Sequence, residues 1–104
     1  LINDLKIGQR KYKVRKKKID PKHYAEFDPH AREILLQPNI SRRLEAISIY
    51  HEILHGIFEH YIKDLLTPEE EEKVVKGIEK GWTEFSQNNP AESMLLQARL
   101  SLKK

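Results

Sequence analysis

The chain has 104 residues, 38% of them hydrophobic and 34% charged, with a formal net charge of +3 and no cysteine. That is material for one small core rather than two, and it excludes disulfides and thiolate metal ligands. No apolar run approaches the roughly 20 residues of a membrane-spanning helix, and no signal peptide is visible. The expectation is a single cytoplasmic domain over residues 1–104 that does not enter a membrane. The charge is uneven: residues 1–50 hold 12 Lys/Arg against 6 Asp/Glu, and residues 51–104 hold 7 against 10.

Residues 1–9 mix apolar and polar side chains without a clear period. They read as an N-terminal arm or short helix, with Ile2, Leu5 and Ile7 available to pack. From Arg10 to Ile19, Tyr12 and Val14 alternate with charges, a strand pattern with one apolar face. Seven of the nine residues 10–18 are basic, which admits a nucleic-acid-binding reading. Aromatic residues for base stacking are scarce there. A solvated edge strand, whose lysines discourage edge-to-edge pairing, is the preferred reading. Asp20-Pro21 and Asp28-Pro29-His30 read as turns. His23–Phe27 alternates weakly and Glu33–Gln37 is a short apolar run, so residues 23–37 read as a hairpin. His23 and His30 read as exposed. These segments make a small sheet of about three strands.

Three helices follow. Ser41 is the expected N-cap of the first, which runs to about Ile62 with Leu44, Ile47, Leu54, Phe58 and Ile62 at helical spacing. Thr67-Pro68-Glu69-Glu70 starts the second: Thr as N-cap, Pro at N1, Glu at N3 of a capping box. Its expected buried stripe is Val74, Val75, Ile78, Trp82 and Phe85. Asn88-Asn89-Pro90 breaks that helix, and Asn89 is the expected cap of a third. Met94, Leu95, Ala98 and Leu102 form the third helix's apolar face, before a frayed tail at 103–104. The fold class is α+β, a small sheet followed by three helices.

The first helix carries His51-Glu52-Ile53-Leu54-His55, an H-E-x-x-H motif. Side chains four positions apart share a helix face, so both imidazoles can grip one metal ion. Glu52 lies about 60° around the helix from His55, beside that ion, where a carboxylate can take a proton from water. The motif is that of zinc peptidases. Two histidines on a core-facing stripe also need polar partners, and a metal satisfies both.

A catalytic zinc site wants a third protein ligand. The extended form of the motif is absent, with Phe58 and Tyr61 at the positions of its Gly and third His. A carboxylate from the next helix remains. His55 lies about 10 Å before Ile62 at 1.5 Å per residue, and an antiparallel neighbour should place its ligand about as far past Pro68. Glu69 and Glu70 are too early, and Glu79, about 16 Å in, overshoots. Glu71 joins the Val74, Val75 and Ile78 stripe, whereas Glu72 points toward Lys76 and Glu79. Glu71 is the expected third ligand and Glu72 its rival.

A small sheet, H-E-x-x-H, Glu71-Glu72-Lys73-Val74-Val75, Gly81-Trp82 and Asn89-Pro90 together resemble the small gluzincin-type peptidases related to the ImmA/IrrE group, which are common in phages. The likeness spans roughly residues 10–90, without the A-N-x-F-A segment of the ImmA branch. The resemblance implies a minimal zincin-like domain and a cytoplasmic metallopeptidase. It implies Zn2+ held by His51, His55 and Glu71, with Glu52 as general base, and a peptide or protein substrate, sometimes a repressor. Tyr24, Tyr50, His60 and Tyr61 are candidate donors to an oxyanion, and Glu33–Gln37 is a strand on which an extended substrate can pair. Two other functions fit the residues: a non-catalytic, metal-stabilised binding module, and a nucleic-acid-binding protein using residues 10–18.

Overall fold

The computed structural model describes residues 2–103, so Leu1 of the expected arm and Lys104 of the expected tail lie outside the described residues. The order is β1 (Asp4–Ile7), β2 (Arg10–Lys16), β3 (Ala25–Asp28), β4 (Glu33–Leu36), α1 (Arg42–Tyr61), α2 (Pro68–Asn88) and α3 (Pro90–Leu100). The α+β class stands, with a sheet of four strands rather than three. The extra strand comes from the expected arm. Leu5 and Ile7 do alternate, and Gly8 closes a two-residue turn at φ 62° that pairs Leu5 with Tyr12 and Ile7 with Arg10. That conformation suits glycine, and a Cβ there would also come within 3.1 Å of the His60 ring.

The sheet order is β1-β2-β4-β3. The β3–β4 hairpin is antiparallel, and its turn is held by Asp28, whose carboxylate accepts from the backbone N–H groups of His30 and Ala31. The chain lays β3 at the outside and then inserts β4 parallel to β2, pairing Val14 with Ile34. Both sides of β4 are therefore occupied, and β3 keeps a free edge.

One face of the sheet is apolar. Ile7, Tyr12, Ile34 and Leu36 are buried, and α1 crosses this face closely because Gly56 has no side chain. A Cβ there would meet Ile7 Cδ1 at 2.8 Å and Phe27 at 3.3 Å. The other side of α1 meets α2, where Leu54, Phe58 and Val75 form a cluster flanked by Tyr50, Ile62 and Leu66. Each such side chain contributes about 1.5–3 kcal/mol on burial.

The caps are mostly those the local residues dictate. Ser41 accepts from Leu44 N–H at 3.1 Å, and Thr67 and Glu70 make the reciprocal capping box. Asn89 differs: its side chain makes no N-cap bond to α3 and instead donates to the Phe85 carbonyl, closing the end of α2.

The two later helices bury different faces than their apolar residues suggest. Of the expected α2 stripe only Val75 is buried, while Val74, Ile78 and Phe85 are exposed. The inward side of α2 carries Glu71, Glu72, Val75 and Glu79. In α3 no residue is buried, and Met94, Leu95 and Leu102 are exposed rather than packed on the domain. Propensity and capping suffice to form these helices, and tertiary contact with α1 then decides which face turns inward.

Candidate metal centre

His51 and His55 stand one turn apart on α1, with ring centroids 5.0 Å apart. Each ring is held by a carboxylate from α2. His51 Nδ1–H donates to Glu79 at 3.0 Å, and His55 Nδ1–H donates to Glu71 at 2.6 Å. Both Nε2 atoms then meet one oxygen of Glu72, at 3.0 Å from His51 and 3.3 Å from His55. One ligand atom from each of His51, His55 and Glu72 lies within 4.8 Å of the others.

The two candidate third ligands take different places around the rings. Glu71 sits at the back of the His55 ring, and Glu72 is the carboxylate on the side where the two Nε2 atoms converge. Glu72 falls there because the inward face of α2 runs through Glu72, Val75 and Glu79, seven positions from the first to the last. Glu79, expected to overshoot, reaches His51, which lies one turn farther from the end of α1 than His55. The exposed Val74 and Ile78 pointed to the wrong face. The signal that would have found Glu79 is its i+7 relation to Glu72, which puts both carboxylates on one face of α2.

The donor set fits a divalent cation. A tetrahedral zinc site with bonds of about 2.1 Å separates neighbouring ligands by about 3.4 Å, close to the 3.0 and 3.3 Å found between Glu72 and the two imidazoles. Electrostatics points the same way. With both Nδ1–H groups committed to carboxylates, a neutral imidazole presents its Nε2 lone pair to Glu72, and two acceptors repel unless a cation lies between them. Four carboxylates, those of Glu52, Glu71, Glu72 and Glu79, surround the two rings.

The same crowding of charge shifts the protonation of the site's own groups. Burial alone lowers the pKa of His55, but the hydrogen bond to Glu71 and the charges of Glu52, Glu72 and Glu71 outweigh it and hold the imidazole above its usual value. Burial raises Glu72, yet the facing imidazoles, with Lys76, bring it below the usual carboxylate range. Glu52 is only 8% exposed. Burial pushes its carboxyl up, the two imidazoles draw it back, Glu72 adds to the rise, and the net direction is upward.

The site opens into a cleft of about 740 Å³ between β3, α1 and α2. Glu52, His51, His55 and Glu72 line one wall, and His23, Tyr24 and Phe27 line the other. Of the four candidate oxyanion donors only Tyr24 lines this cleft. Tyr50 packs on the Leu54 cluster, His60 is hydrogen-bonded to the buried Tyr12 hydroxyl at 2.9 Å, and Tyr61 lies with His60 and Gly8 at a separate pocket. His23, exposed as expected, also belongs to the cleft wall and is hydrogen-bonded to Glu26 at 3.1 Å.

Set against family models, curated proteins and solved structures, the chain gives no match in any of the three comparisons. Among the described residues, no helix is long and apolar enough to cross a membrane.

Proposed function

We propose that this chain is a zinc-dependent peptidase, a minimal zincin-like domain in which His51, His55 and Glu72 hold the ion and Glu52 is the general base. The observation that carries the reading is the paired support of the imidazoles. Each has its Nδ1–H fixed by its own carboxylate and its Nε2 turned to a shared third. Such outer carboxylates set the tautomer and raise the basicity of ligating histidines.

A bound zinc ion supplies Lewis acidity, which acidifies water and polarises a carbonyl. The chain's own groups do the rest. Glu52, on the cleft wall next to His51 and three positions before His55, takes a proton from the attacking water and delivers it to the leaving amine. Its upward-shifted carboxyl suits both halves of that exchange. Tyr24 and His23, which line the same cleft, are the candidate donors to the developing oxyanion. The substrate strand differs from the sequence expectation. β4 is enclosed by β2 and β3, so the edge available to an extended peptide is β3, where Ala25, Glu26 and Phe27 line the cleft.

The test is Glu52→Gln in the zinc-loaded chain. It should keep stoichiometric metal by elemental analysis and lose hydrolysis of a peptide library. Undiminished turnover would remove Glu52 and the peptidase mechanism with it.

A second reading has one observation in its favour. The buried hydrophobic set among the described residues is small, eight side chains, and domains of this size use metals as staples. A metal-stabilised binding module would gain thermal stability from zinc and hydrolyse no peptide. The nucleic-acid reading is weakened, since Arg15 and Lys16 of the basic strand are engaged by Glu33 and Glu45.

A further inference from the structure

Helix α3 packs on α2 alone among the described elements. Ser86 and Ser93, whose hydroxyls are 3.0 Å apart, mark the side of α3 that faces α2. Leu95 lies about 160° around the helix from Ser93, so it points away, with Ala91 and Ala98 on its face at i−4 and i+3. Apolar surface continues around it, with Met94 74% and Leu100 73% exposed. On α2 the flank formed by Val74, Ile78 and Phe85 is open as well.

The amount of open surface is out of proportion to the chain. The accessible area is 8097 Å², against about 6,100 Å² for a folded monomer of this mass. The radius of gyration is 14.2 Å, against about 12.9 Å for 104 residues. The surplus of about 2,000 Å² is more than twice the roughly 800 Å² that each partner contributes to a standard interface.

Charge identifies the partner. Glu92 and Arg99 are the only acid and the only base of α3, seven positions apart on one side of the helix. Two copies of α3 laid antiparallel, with the two-fold axis beside Leu95 and Leu96, bring Glu92 of each opposite Arg99 of the other. In that register Leu95 stands level with Leu96 of the other copy, two residues short of Ala98, so the side chains of Leu95 and Ala98 adjoin, large against small, in both halves at once. A two-fold contact requires this self-complementarity.

We propose that α3, through Ala91, Leu95 and Ala98 with Glu92 and Arg99 at their flank, is the interface of a two-fold antiparallel dimer of this chain. The inference does not rest on the proposed metal centre, whose carboxylates Glu71, Glu72 and Glu79 lie about two turns or more before Ser86 along α2.

Sedimentation equilibrium of the full chain across a concentration series tests it. The wild type should dimerise. Glu92→Arg and Arg99→Glu, both at exposed positions, should each keep wild-type circular dichroism and raise the dissociation constant by about tenfold, since each creates two like-charge pairs. An equimolar mixture of the two variants should recover wild-type association, because every pair is again opposite in sign. A wild type that stays monomeric would give this face to a different protein and overturn the proposal. Swaps without effect, or a mixture that fails to recover, would overturn it too.

Discussion

Helix α2 has two sides that obey opposite rules. Toward α1 it presents Glu71, Glu72 and Glu79 around a single buried Val75, and toward solvent it presents Val74, Ile78 and Phe85. A helix selected only to pack would reverse these. The inward carboxylates are tolerable because each finds a histidine on α1, and burying polar groups without such partners costs several kcal/mol. The outward apolar residues Val74, Ile78 and Phe85 stay 37–41% exposed. The comparison teaches that the α1–α2 seam is built on histidine–carboxylate pairs, at the cost of apolar contact in the core.

The comparison breaks most severely if the converging ligands are removed. His55→Ala and Glu72→Gln should each abolish stoichiometric zinc by elemental analysis, whereas the cleft residue Lys76→Gln should not. Next comes the seam's apolar end. Phe58→Ala should lower stability by about 3–5 kcal/mol, measured by urea unfolding, while Leu95→Ala on α3 should fall within about 0.5 kcal/mol in dilute protein.

Smaller effects separate ligands from supports. Glu71→Gln and Glu79→Gln should weaken zinc by about 10–100-fold without abolishing it, as read by competition with a chelating dye. If Glu71→Gln abolished binding and Glu72→Gln did not, the assignment of the two acids would have to be exchanged. Thr67→Ala, which removes the cap of α2 without touching the site, should cost about 1 kcal/mol.

The finest test is pH. In the metal-free chain His55 is held above its usual value of 6.5. Its contribution to stability is therefore complete below that value and is lost as pH rises through the folded-state pKa. Zinc needs the neutral ring, so its affinity runs the other way. The rise in Tm on adding zinc should grow from about pH 6 to about pH 8. A rise that shrank over that interval would remove His55 from the ligand set.

Much of this was legible from local sequence. Ser41, Thr67 and Glu70 announce their helices because a cap acts within three residues, and the spacing of His51 and His55 defines a shared face wherever the helix lies. The strand formed by residues 4–7 was obscured because four residues are too few to show a period and their partner is supplied by the turn at Gly8. The inner place of Glu33–Leu36 was not legible because sheet order depends on a parallel insertion that hairpin logic does not contain.

By itself the sequence determined three helices, a β3–β4 hairpin and the paired histidines, all set by interactions within a few residues or one helical turn. Tertiary structure decided that β4 lies inside the sheet, that Glu72 rather than Glu71 stands with both Nε2 atoms, and that Glu79 holds His51. Neighbouring residues on a helix differ by about 100° in direction, so the choice between Glu71 and Glu72 rests on the rotation of α2 about its own axis. That rotation is set by packing against α1.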